Sequence, residues 1–144
     1  MSLNKNLVKN LIDITSKAAI SCYPFLGKEN KYEVDKAATD VMRFNLNNLN
    51  INGEDVIGEG ELDEAPMLYI GEKIGKQNGL QIDIAVDPVE GTNFVAKNLP
   101  GAISVIAISE KGNLFKAPET YMNKIAYGKD IPREVIDLDN SIEK

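Results

Sequence analysis

The chain has 144 residues, 43% of them hydrophobic and 26% charged, which suits one globular domain with a real core rather than a disordered or membrane-embedded segment. Its 22 acidic against 16 basic residues give a net charge of −6, which opposes nucleic acid and anionic membrane surfaces as partners. No histidine is present, which removes histidine triads and bases and most zinc sites, and the lone Cys22 cannot form an intrachain disulfide. No apolar run reaches the roughly 20 residues of a membrane span and no signal pattern opens the chain, so the cytoplasm is the expected location.

In chain order, residues 2–23 predict an amphipathic helix, with Leu7, Val8, Leu11, Ile12, Ala18, Ala19 and Cys22 near helical spacing. Pro24 and Gly27 end or kink it. A second helix is expected over 34–49, with Ala37, Ala38, Val41, Met42 and Leu46 as its apolar stripe. A turn is read at 50–53. Strands are then expected at 55–58, 67–70, 82–86, 102–109, 114–117 and 121–127, with a hairpin turn at 110–113 and a last strand-like stretch at 135–138. Two helices followed by strands predict an α/β (α+β) layered sandwich, its helices packed on a mainly antiparallel sheet.

Two segments carry chemistry. Gly58-Glu59-Gly60-Glu61-Leu62-Asp63-Glu64 crowds four carboxylates beyond the end of an expected strand, between glycines that let a backbone approach an ion. It also reads as a solvated acidic turn. Asp87-Pro88-Val89-Glu90-Gly91-Thr92 follows another strand directly, and its proline turn lets Asp87 and Glu90 converge. Gly91 and Thr92 then offer backbone N–H groups for a phosphate. Asp35, near the start of the second helix, is ordinarily a dipole or capping residue, and Lys31 ordinarily a surface lysine. Hard oxygen ligands without histidine or thiolate suit Mg2+ or Mn2+, and two sets of carboxylates suggest two or more ions serving phosphoryl transfer to water.

The string Asp87–Thr92 resembles the signature of the lithium-sensitive, metal-dependent sugar and inositol phosphatases. The longer Val56-Ile57-Gly58-Glu59-Gly60-Glu61-Leu62-Asp63-Glu64-Ala65-Pro66-Met67-Leu68-Tyr69-Ile70-Gly71-Glu72-Lys73, with Ala117-Pro118-Glu119-Thr120-Tyr121-Met122, is similar to the class II (GlpX-type) fructose-1,6-bisphosphatases. The resemblance runs from about residue 5 to the end. It implies a layered αβαβα sandwich, with Asp35, Glu59, Asp87 and Glu90 as metal ligands. It further implies Glu90, Gly91, Thr92 and Tyr121 as substrate contacts. Thr92 with Glu59 or Glu61 would orient the attacking water towards the C1 phosphate, and Lys31 would balance charge nearby.

The implied substrate is fructose 1,6-bisphosphate, in gluconeogenesis. Sedoheptulose 1,7-bisphosphate or an inositol phosphate is the enzymatic alternative, and a non-catalytic metal-binding or interaction module is the alternative of another class. Members of the class II (GlpX-type) family run to more than twice this length. Residues 1–144 are therefore expected to be the metal-binding N-terminal domain, lacking the half that would supply the distal-phosphate pocket and a further glutamate ligand. Strand edges left open by such a division predict a homo-oligomer.

Overall fold

The computed structural model describes residues 5–58, 68–116, 123–132 and 135–139. Helix α1 spans Lys5–Ser21 and buries Ile14 and Ala18. Pro24 ends the helical run rather than bending it: a short 3-10 turn, Tyr23–Phe25, follows, and Gly27 (φ +71°) redirects the chain. Helix α2, Lys31–Asn47, begins three residues before its expected start because Asn30 caps it, its side chain accepting the Glu33 N–H at 3.3 Å. Val34, Ala38, Met42 and Leu46 are fully buried along one face. The Lys17 ammonium donates to Asn45 Oδ1 at 2.9 Å, tying α1 to α2.

Four strands form one sheet: β1 Ile51–Ile57, β2 Lys73–Ile74, β3 Leu80–Glu90 and β4 Ile103–Glu110, in the order β2-β1-β3-β4. The outer pairings, β1 with β2 and β3 with β4, are antiparallel, while the central β1–β3 pairing is parallel. The sheet is therefore mixed. Ile82 and Ile84 of β3 are fully buried in one core with Ala18, Val34, Met42 and Leu46, so both long helices cover the same face. The expected α/β layering of helices on a sheet is present.

Several boundaries differ from the sequence reading for definable reasons. Residues 51–53 belong to β1, not to a turn: Gly53 is paired between Ile74 and Ile82, and a Cβ there would lie 2.7 Å from Ile84 Cδ1. This glycine serves a close approach within a strand. Residues 68–70 are not a strand. Leu68 is a fully buried core residue, and the chain turns at Gly71 (φ +91°) into the two-residue β2, which local pattern did not reveal.

The turn at 110–113 forms, but residues 114–116 do not continue as a strand. The Gly112 and Leu114 N–H groups instead donate to the Asp83 carboxylate at 2.7 and 3.4 Å, on the sheet face away from the helices. No strand occurs at 123–127 or in the described part of 135–138, where Val135 and Leu138 are exposed.

Candidate functional site

The parallel pairing of β1 and β3 decides where the two acidic segments lie. Parallel neighbours end on the same sheet edge, so β1 delivers the chain at Gly58 beside the stretch Asp87–Glu90 that closes β3. The β3–β4 register slips between Asp87 and Glu90, at Pro88, which has no N–H to give a ladder. Asp87 Oδ1 accepts the Val89 N–H at 3.1 Å, closing a tight Asx turn. Gly91 then takes the left-handed conformation (φ +85°) and caps the five-residue helix α3, Thr92–Ala96.

Helix α3 is fixed from outside. The Gly27 and Glu29 N–H groups donate to the Val95 and Ala96 carbonyls at 3.1 and 2.8 Å, fastening it to the loop that leads into α2. That brace brings Thr92 to α2, where its hydroxyl donates to Asp35 Oδ1 at 2.8 Å; Thr92 Oγ1 also lies 3.2 Å from the Val89 carbonyl. Asp35 sits on the second turn of α2, one turn beyond Lys31. Burial pushes its carboxyl above the ordinary carboxylate range, while the Thr92 hydroxyl and the Lys31 charge pull it back.

Of the residues singled out in the sequence, the structure thus brings together Asp35 and Thr92, with Lys31 close enough to act electrostatically on Asp35. Asp87, Glu90 and Gly91 lie on the same strand end as Thr92. Glu59, Glu61 and Tyr121 lie outside the described residues. Among the described residues no three acidic side chains converge closely enough to hold an ion. The donors are nevertheless all hard oxygens, and Asp35 is a partly desolvated carboxylate with one hydroxyl and one distant cation to compensate it. A divalent oxygen-seeking ion suits that chemistry.

Two features escaped the sequence reading. Arg43 of α2 makes a forked ion pair with Glu72, Nε to Oε1 at 2.7 Å and Nη2 to Oε2 at 3.1 Å. Nothing in the spacing of positions 43 and 72 announces it. Asp55 is completely buried, and neither carboxylate oxygen has a hydrogen-bond partner among the described residues. The period-two alternation of Ile51, Gly53 and Asp55 in β1 would have placed it on the core face. An open groove of about 480 Å³ lies behind Pro88 and Val89, lined by apolar groups such as Ile20, Leu26, Leu99 and Ile103. It offers no charged group to a phosphate. No helix among the described residues is long and apolar enough to cross a membrane.

Comparison with known proteins identifies the family. The family model described as bacterial fructose-1,6-bisphosphatase, glpX-encoded, matches residues 5–144. A D-fructose 1,6-bisphosphatase class 2/sedoheptulose 1,7-bisphosphatase of Prochlorococcus marinus (strain MIT 9515) is 47% identical over 124 residues, covering 86% of this chain and 37% of its own length. A fructose-1,6-bisphosphatase class 2 of Haemophilus influenzae is 42% identical over 142 residues, covering 99% of this chain and 42% of its own length. The chain thus spans less than half the length of these curated relatives. Among solved structures, an extragenic suppressor from Pyrococcus furiosus shares the fold, with a TM-score of 0.51 at 20% identity, over 74% of this chain and 41% of that one. This chain belongs to the family of bacterial, glpX-encoded fructose-1,6-bisphosphatases.

Proposed function

We propose that residues 1–144 form the metal-binding domain of an enzyme that hydrolyses the 1-phosphate of fructose 1,6-bisphosphate, giving fructose 6-phosphate and phosphate. The observation that carries this reading is the Thr92–Asp35 hydrogen bond of 2.8 Å at the shared carboxyl edge of β1 and β3. Asp35, Asp87 and Glu90, with Glu59, are the proposed holders of two or more Mn2+ or Mg2+ ions. When bound, such ions supply charge neutralisation and lower the pKa of water.

The chain's own residues do the rest. Thr92, fixed by Asp35, presents its hydroxyl at a constant position to orient the attacking water, with Glu59 or Glu61 accepting its proton. Gly91, Thr92, Glu90 and Tyr121 contact the substrate. Lys31 offsets negative charge beside Asp35. The buried thiol of Cys22 and the absence of any disulfide fit a cytoplasmic enzyme. The name of the Prochlorococcus relative supports sedoheptulose 1,7-bisphosphate as an alternative substrate. A non-catalytic metal-binding or interaction module is the second reading, favoured by the exposed edge strand β4.

Phosphate release from fructose 1,6-bisphosphate, with and without Mn2+ and beside an Asp87→Ala variant, tests the proposal. Mn2+-dependent release lost in the variant is the expected outcome. A Mn2+-induced rise in melting temperature without release supports the non-catalytic module, since binding alone stabilises a fold. Neither release nor stabilisation overturns both readings.

A further inference from the structure

We propose that the Asp55 carboxyl is a proton-operated clasp at the corner where β1 leaves the sheet, seated while protonated and released on ionisation. The inference concerns the folded chain itself and stands apart from the phosphatase reading.

The geometry begins with the strand register. Asp55 pairs with Ile84 of β3, and Gly53 with Ile82, so the Asp55 side chain points to the helix-covered face. It is 0% exposed and both oxygens lack a hydrogen-bond partner among the described residues. A Cβ on Gly58 would sit 2.8 Å from Asp55 Oδ2 and 2.3 Å from the Leu68 carbonyl, so only glycine leaves room for the carboxyl there. The Asp55 backbone holds the corner on its other side: its N–H donates to the Glu72 carbonyl at 2.9 Å, and its carbonyl accepts the Gly71 N–H at 2.7 Å. Side chain and clasp are therefore one residue, and displacing the carboxyl strains both bonds.

The charges around it favour the proton. Glu72 repels an Asp55 carboxylate, and the Arg43 guanidinium of α2 is already committed to Glu72. On β3 the facing partner, Ile84, is apolar. Glu54, with Lys73 and Lys111, and Asp83, with the Gly112 N–H, belong to the opposite face. Burial first and Glu72 second push the Asp55 carboxyl up to about 7, while the Ile57 amide, outside hydrogen-bonding geometry, opposes them. An uncompensated buried carboxylate is costly enough that the group keeps its proton or leaves the core.

The deciding measurement is a carboxyl NMR titration of the wild-type chain, with Asp55→Asn to assign the resonance, alongside amide-exchange protection at Gly71. Asp55 is expected to titrate near 7. Gly71 protection, corrected for intrinsic exchange, is expected to fall about tenfold per pH unit between roughly pH 5 and 7 and to level off above. In Asp55→Asn it stays flat. A carboxyl titrating in the ordinary Asp range overturns the proposal, as does an equal fall of protection in the Asn variant. Should that variant not fold, the wild-type titration, assigned instead from through-bond correlations, decides alone.

Discussion

At the residue scale, most of what is particular to this chain rests on three residues and their surroundings. Thr92 is the first. Its hydroxyl is the side-chain donor to Asp35, so Thr92→Val leaves a half-buried carboxylate without one. A loss of about 1–3 kcal/mol in urea denaturation is expected, with Thr92→Ser recovering most of it. Gly91 is the second: at φ +85°, with a Cβ 3.0 Å from the Phe94 ring, Gly91→Ala should cost roughly 1–2 kcal/mol by the same assay. The third is Asp55. Its native carboxyl is raised from 3.8 to about 7, so the unfolded chain holds fewer protons than the folded one between those values. Stability is fully present below the unfolded value and falls as pH rises through the native one. The loss is at most about 4 kcal/mol, and denaturation midpoints measured on both sides of that window check it.

At the element scale, the helices were largely legible and the sheet only in part. Ala38, Met42 and Leu46 of the expected α2 stripe are buried and Asn30 explains why α2 starts early, whereas in α1 Val8 and Ile12 of the expected stripe are exposed and Ile14 is buried instead. By contrast β2 has two residues, too few for any periodic signal, and exists because Gly71 returns the chain against β1. The hairpin expected after β4 failed at its second strand because the buried Asp83 takes the Gly112 and Leu114 amides. The Arg43–Glu72 fork links α2 to the segment entering β2, and the Glu72 side chain is only 10% exposed. Removing one partner strands the other, so Arg43→Ala should destabilise by about 2–4 kcal/mol, whereas Arg43→Met with Glu72→Leu should cost much less. A double-mutant cycle read by thermal melts tests this.

At the scale of the whole molecule, β4 is an eight-residue edge strand with Ile103 57% and Val105 40% exposed. Beside it lies the apolar groove bounded by Ile20, Leu26 and Leu99. An uncovered apolar edge of this kind favours association. Light scattering at micromolar concentration should therefore find a dimer or larger species, and Val105→Lys should shift it towards monomer. A monomeric wild-type chain would remove self-association from the account.

What the sequence determined alone was chemistry and local order. The lack of histidine and the carboxylate-rich segments led to the expectation of hard ions, and the strings at 56–73 and 87–92 carried the resemblance to the family. Both are properties of residue identity and short-range spacing, which the chain carries whether folded or not. The tertiary structure alone decided that β1 and β3 run parallel, and so that Gly58 and Asp87–Glu90 share one edge. It also decided that Thr92 meets Asp35 across 57 positions, and that Asp55 is sealed in the core without a hydrogen-bond partner among the described residues. Those outcomes depend on long-range register and on which groups water leaves: alternation in β1 points Asp55 inward, but no local pattern encodes the strand pairing or the missing partner.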